Sequence, residues 1–263
     1  MSGIDHLRFG GVARLYGETA LAQLMSAHMV VIGLGGVGSW TAEALARTGV
    51  GSLTLIEYDE VCLTNINRQA HALSSSVGQS KLNVVAHRLR DINPGIKLHL
   101  VEDFLSLDNM TELILPSQHV VIDATDAAYI KAALIAYCCA RKIRILTVGA
   151  SGGKREPGKV QVADLAKTRA DSLLAKVRSD LYRHHHFTRR KTGQKFRIDA
   201  IYSSEQRVYP QPDGSVCMQK TAMEEGVRLD CVSGFGASVM VTASFGLAAA
   251  ARAVERYLSK VNN

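Results

Sequence analysis

The chain has 263 residues, enough for one large α/β domain or one domain with an elaborated second half, and its 47% hydrophobic residues suffice for a sizeable core. A formal net charge of +7 and a pI near 9.2 favour an anionic partner, of which nucleic acid is the usual one. The five cysteines (Cys62, Cys138, Cys139, Cys217 and Cys231) include no C-x-x-C pair, which argues against a four-thiolate zinc and against a disulfide framework, and points to a reducing cytoplasm.

The N-terminus, MSGIDHLRFGGVARLYG, carries charges and no apolar core, so it does not read as a signal peptide. Residues 5–27 read as helical, and HMVVI (28–32) as a buried strand leading into the glycine turn of VVIGLGGVGSW (30–40). The spacing of Trp40, Ala44 and Leu45 predicts a helix that stops at Gly49, and GSLTLIEYD gives a second strand. Strand, turn, helix and strand make a right-handed βαβ unit. An irregular polar stretch follows, then a helix over about 79–91 ended by INPG, a strand in IKLHLVED, a short helix over about 107–114 and a buried strand in QHVVIDATD. AAYIKAALIAYCCARK reads as a helix and IRILTVGAS as a fifth strand. The alternation predicts an α/β fold: a Rossmann-like doubly wound sheet, parallel in the first half.

After GASGGKREPGK the pattern changes. Residues 159–164 suggest another strand, and 198–204 and 207–217 suggest antiparallel additions around the turn PQPDGS. The chain is read as a single domain, with residues 1–150 as the nucleotide-binding half and 151–263 as the substrate-side half. Between Lys176 and Arg197 lie eight Lys or Arg and one acid, Asp180. The apolar run at 231–251 is long enough to span a bilayer, but it is rich in Gly, Ala, Ser and Thr and continues into ARAVERYLSK, so it reads as a buried core helix.

Gly33, Gly35 and Gly38 fit G-x-G-x-x-G: a tight turn, a close approach of backbone to phosphate, and close helix–strand packing. Glu57, at the end of the second strand, is placed to hold ribose hydroxyls. A nicotinamide dehydrogenase would need little more from this half, yet Asn65, Arg68 and Lys81 add polar groups near the C-terminal edge of the sheet. Two fixed cations there suit a triphosphate better than a diphosphate. Asp123 and Asp126 in VIDATD end the fourth strand, where a carboxylate can hold Mg²⁺ bridging phosphates.

The joint spacing of G-x-G-G-x-G, a strand ending in acid-x-acid, T-N-x-x-R-Q, G-x-x-K and D-x-T-D resembles the ubiquitin-activating-enzyme superfamily over about residues 8–150. RFGGVARLYG, QVADLAKTRADSLLAKVR and RLDCVSGFGASVMVTASFG extend the resemblance over nearly the whole chain to one branch, the tRNA threonylcarbamoyladenosine dehydratases. The resemblance implies ATP with Mg²⁺, and allows a monovalent cation (Na⁺ or K⁺). Gly35, Gly36 and Gly38 would line the nucleotide, Glu57 and Asp59 would sit at the ribose and beneath the phosphates, and Asn65, Arg68 and Lys81 would contact phosphate. Asp126 would bind Mg²⁺ and ATP. Glu57 stands where the family usually has Asp. Arg8 or Arg14 would be the N-terminal arginine that crosses a homodimer interface, and Arg14 is grouped with Arg68, Lys81 and Asp126 as catalytic. The implied substrate is tRNA carrying threonylcarbamoyladenosine, with a cysteine-desulfurase or sulfur-acceptor system as a further partner. Arg183, Arg189, Arg190, Lys191, Lys195 and Arg197 are the candidate tRNA contacts.

Three other readings compete. An adenylyltransferase for a ubiquitin-like sulfur carrier usually holds zinc on paired C-x-x-C motifs, absent here. A nicotinamide oxidoreductase leaves Arg68, Lys81 and Asp126 unexplained. A non-catalytic tRNA-binding module would turn over no ATP.

Overall fold

Period-2 hydrophobicity builds the centre of the molecule. In β1 (His28–Ile32), Met29 and Val31 face one apolar cluster while Val30 and Ile32 face another. The computed structural model describes residues 3–188, 195–211, 213–218 and 235–261. Seven strands form one sheet in the order β3-β2-β1-β4-β5-β7-β6, with β2 (Ser52–Ile56), β3 (Lys97–Val101), β4 (Val120–Asp123), β5 (Ile145–Val148), β6 (Val160–Asp164) and β7 (Asp199–Ser203). The chain winds outward from β1 to β3 on one side and from β4 on the other, so the topological switch falls between β1 and β4.

Helices cover both faces. One layer holds α2 (Glu18–Ser26), α3 (Gly38–Arg47), α4 (Lys81–Ile92) and α8 (Val239–Val261), and the other holds α5 (Met110–Leu113), α6 (Ala128–Ala140) and α7 (Ser172–His184). The helical N-terminal stretch divides into α1 (Gly3–Tyr16) and α2, because Gly17 takes φ 95°, a conformation that favours glycine.

The second half differs from expectation in two respects. Strand β7 is not a purely antiparallel addition: it extends the main sheet parallel to β5, and β6 alone caps the edge antiparallel to β7. The 207–217 region stays outside that sheet as a separate ribbon of β8 (Tyr209–Pro210) and β9 (Val216–Cys217).

Of the apolar run at 231–251, residues 231–234 lie outside the described residues, 235–238 are non-helical, and α8 starts at Val239. Its small residues let it lie close on α3. A Cβ at Gly246 would sit 2.6 Å from the Val37 carbonyl oxygen, and Thr41 Oγ1 donates to the Gly246 carbonyl at 3.2 Å. Among the described residues, no helix is long and apolar enough to cross a membrane.

Candidate nucleotide and substrate site

The glycine turn is locked in place from three sides. Gly33 has φ 81° and donates its N–H to Ile56 at 2.9 Å. A Cβ at Gly38 would lie 1.7 Å from the Gly33 carbonyl oxygen, so only glycine lets α3 begin there. Across the switch point, a Cβ at Gly33 would meet the Ala124 carbonyl oxygen at 3.2 Å, which places the turn directly against the loop carrying Asp126.

Glu57 is buried and accepts three backbone N–H groups: Leu34 at 2.7 Å, Tyr58 at 2.9 Å and Asp59 at 3.0 Å. The second strand thus grips the glycine turn through its last carboxylate. Lys81 opens α4, behind the Ser80 cap, and is buried except for its ion pair with Asp59 at 2.9 Å. Asp59 keeps 53% of its side chain exposed, so the pair stands at the surface of the site with its cation anchored inside.

Arg68 is half-buried. Its Nη1 donates to the Thr64 carbonyl at 2.7 Å and to Asn67 Oδ1 at 3.0 Å, and its own carbonyl accepts the Trp40 Nε1–H at 3.0 Å. The only tryptophan in the sequence therefore ties the glycine-turn helix to the Arg68 loop. Asn65 is buried and accepts the Cys62 N–H at 3.1 Å, shaping the turn that presents Arg68. Asn67 Nδ2 donates to the Ala237 carbonyl at 3.0 Å, joining this loop to the segment that leads into α8.

Asp123 and Asp126, expected side by side at the nucleotide, separate. Asp126 is exposed. Asp123 is 0% exposed; its carboxylate takes the Thr125 hydroxyl at 2.8 Å on one oxygen and the Lys131 ammonium at 3.0 Å on the other. Asp123 therefore braces the strand end, with both carboxylate oxygens engaged within the protein. Sequence reasoning missed Lys131, which is fully buried and also donates to the Asp123 carbonyl and to Thr147 Oγ1. An ammonium in the apolar pattern of α6 was its one signal.

Arg8 donates to the Ile92 carbonyl at 2.8 Å, whereas Arg14 is exposed in the last turn of α1. Of the two N-terminal candidates, Arg8 is occupied within its own chain.

Residues 11–261 match the ThiF family. The chain belongs to the ThiF family. This ThiF-family chain is 49% identical over 253 residues to the tRNA threonylcarbamoyladenosine dehydratase of Escherichia coli strain K12, covering 96% of this chain and 94% of that one. It is 44% identical over 262 residues to the enzyme of that name from Haemophilus influenzae, covering 99% and 97%. A solved structure of the E. coli tRNA N6-threonylcarbamoyladenosine dehydratase in complex with ATP matches with a TM-score of 0.88 and 44% identity, over 99% of this chain and 98% of that one.

Two further buried residues lie on the Arg68 loop: Gln69 reads in the sequence only as the last position of T-N-x-x-R-Q, and His71 is not singled out there. Gln69 follows Arg68 directly, is buried, and lies 4.0 Å from where a Cβ of Gly35 would stand. His71 is 1% exposed with neither ring nitrogen bonded to a protein group. Burial, reinforced by the nearby Lys81 and Arg88 cations, pushes its pKa down to about 4.

Of the basic segment, Arg189, Arg190 and Lys191 lie outside the described residues, as does Cys231. Arg183, Lys195 and Arg197 are exposed, at the end of α7 and before β7. The intervening Phe196 is buried against Tyr182 and Phe187, and Asp164 fixes the backbone by accepting the Phe196 N–H at 2.8 Å and the Arg197 N–H at 2.7 Å.

Proposed function

We propose that the protein catalyses the ATP-dependent dehydration of threonylcarbamoyladenosine in tRNA, on the adenosine 3′ of the anticodon. The observation that carries this reading is the 49% identity to the E. coli dehydratase over 96% of this chain, substrate-side half included. Sulfur-carrier adenylation is disfavoured by the missing C-x-x-C pairs.

The chemistry follows from what the site must overcome. A carboxylate resists attack because its leaving group would be hydroxide. The threonyl carboxylate attacks the α-phosphorus of ATP, the bond to the β-phosphate bridging oxygen breaks, and pyrophosphate leaves. The carbamoyl group of the same side chain then attacks the acyl carbon. The ring closes with loss of a proton and AMP departs. Both reactants of the first step are anions, so the protein must hold like charges together. The turn at Gly35 and Gly36 offers backbone N–H groups with no side chain in the way, Arg68 supplies a cation from its loop and Lys81 one from the start of α4, and the α4 N-terminus adds its dipole. Ring closure joins groups already on one side chain and needs no catalytic thiol.

An exposed Asp126 beside the glycine turn is the hard oxygen ligand that Mg²⁺ takes together with phosphates. When bound, Mg²⁺ would neutralise phosphate charge; Asp126 would hold it. Glu57 retains lone pairs for a ribose hydroxyl after its three backbone bonds. A monovalent cation and a sulfur-transfer partner remain part of the proposal by family resemblance alone. So does cytoplasmic location, which the free cysteines Cys62, Cys138 and Cys139 support.

We also infer a homodimer. Helix α1 exposes Leu7 at 87% and Leu15 at 75%, the latter next to Arg14, so an apolar face and a free guanidinium are presented together. Arg14 would then reach the partner's nucleotide.

The test is incubation with ATP, Mg²⁺ and tRNA bearing threonylcarbamoyladenosine, followed by digestion and mass measurement of the nucleoside. Loss of one water with release of AMP is expected. An unchanged nucleoside would refute the proposal.

A further inference from the structure

The C-terminal ends of β5 and β7 open onto a cleft of about 430 Å³, on the same sheet edge as the glycine turn. Two strand spacings, about 10 Å, separate β7 from β4, whose end carries the Asp126 loop. Arg169, Arg178, Arg207 and Tyr209 line the cleft. Among the described residues its one carboxylate, Asp171, is already used: it accepts the Ala150 and Leu174 N–H groups at 2.9 Å each. The described lining therefore carries net positive charge.

Two of these side chains are held in advance. The Arg207 guanidinium carbon lies 4.2 Å from the centroid of the Phe235 ring, and Tyr209 meets the same ring edge-on at 5.6 Å. The loops behind them are pinned. Gly153, at φ 72°, accepts the Val208 N–H at 2.8 Å and donates to the Gly236 carbonyl at 2.7 Å, and any Cβ there would strike Arg207 Cγ at 2.4 Å. The Phe235 segment runs on to Ala237, which Asn67 of the nucleotide loop grips. The platform is thus physically tied to the Arg68 loop.

We propose that this cleft is the nucleobase subsite for the RNA substrate, with Arg207 and Tyr209 as the stacking surface and Arg169, exposed at the rim, meeting a flanking phosphate. The assignment rests on the dehydratase reading given above. A planar cation beside an aromatic ring is how unstacked RNA bases are received, since every base offers a π-face to both. On the dehydratase reading ATP would take the β1, β2 and β4 side of the edge, leaving the β5 and β7 side to the second reactant. Of the basic segment, Arg178 lines the cleft, whereas the candidate contact Arg183 is at the far end of α7 from the cleft-lining Ser172, about 16.5 Å along the helix. Arg183 can meet only a remoter part of the RNA.

The experiment uses the full chain and an anticodon stem-loop RNA carrying threonylcarbamoyladenosine. RNA affinity is measured against salt concentration, with ATP affinity as the check on folding. Tyr209→Ala should weaken RNA binding about tenfold to a hundredfold and leave the salt slope unchanged, while Tyr209→Phe stays near wild type. Arg169→Gln should weaken binding and reduce the salt slope by about one. Arg207→Lys keeps the charge, so a loss of affinity at unchanged salt slope would mark stacking. If Tyr209→Ala and Arg207→Lys bind both RNA and ATP as wild type does, the subsite is wrong, though the dehydratase reading survives wherever wild type still turns over. If wild type leaves the modified RNA unchanged in the presence of ATP, both fall. Displacement of the RNA by a small protein with a flexible C-terminal tail, at a site abolished by Tyr209→Ala, would also overturn the assignment.

Discussion

Glu57 accepts the Leu34 N–H at 2.7 Å, so the carboxylate that ends the second strand also fixes the turn that follows the first. A shorter carboxylate cannot make this bond and also keep both N–H groups of Tyr58 and Asp59. Glu57→Asp should therefore raise the KM for ATP with a smaller change in kcat, and should cost about 1.5–3 kcal/mol of stability through the lost charge-assisted bond. Denaturant titration beside ATP kinetics checks both. Unaltered ATP affinity would mean that the turn stands without this tie.

Lys81 is a buried cation whose ion-pair partner among the described residues, Asp59, is half exposed. Lys81→Met fills similar volume without the charge. We expect a loss of about 10²- to 10³-fold in kcat and little change in fold, because the cation serves the transition state more than the core. Single-turnover release of pyrophosphate is the measurement. A variant that loses its fold but not its specific activity would contradict the assignment.

His71 sets an acid limit on stability. Its folded pKa, near 4, lies below the unfolded value of 6.5, so below pH 6.5 the unfolded chain binds a proton that the folded chain refuses. Stability is full above pH 6.5, declines between 6.5 and 4, and is lowered by about 3 kcal/mol below that range. His28, whose pKa is also lowered by burial, then by His99 and His119, acts in the same direction. His71→Leu should flatten the slope of melting temperature against pH between 6.5 and 4. An unchanged slope would assign the acid sensitivity elsewhere.

Gly246 marks where α8 presses on α3. Gly246→Ala puts a Cβ 2.6 Å from backbone at Val37, where nothing flexible can move aside. The helices must part, at a cost of about 1–3 kcal/mol. Because Thr242 and Trp40 on these helices both approach the Arg68 carbonyl, ATP affinity should weaken as well. Thermal melts with and without ATP test the pairing of the two effects.

The proposed dimer makes its own forecast. Leu7→Glu with Leu15→Glu should halve the mass seen by light scattering and lower activity. Arg14→Ala should lower activity and leave the mass unchanged. A monomeric wild type would end this proposal.

Much of the nucleotide half was legible because its signals are local. Strands β1 and β2 follow apolar runs bounded by glycine, and Gly33, Gly35 and Gly38 mark the turn wherever the rest of the chain goes. Asp123 was not legible: three residues from Asp126 in sequence, it is turned away by Lys131, a partner from the following helix. His71 escaped, and Gln69 reads only within its motif, because burial of a loop residue depends on elements far along the chain. The direction of β7 escaped for the same reason, since it depends on which strand lies beside it and not on its own residues.

Lys154 is buried in the second half of the chain, and its ammonium donates to the carbonyls of Ala170, Ser203 and Glu205 at 3.2, 2.9 and 3.0 Å. All three acceptors are backbone oxygens, the ligands that a potassium ion would choose. A free ion would hold such a junction only while its concentration lasted; a tethered one cannot be diluted away. The loops flanking the basic cleft are thus clamped by a resident charge, whatever the salt outside.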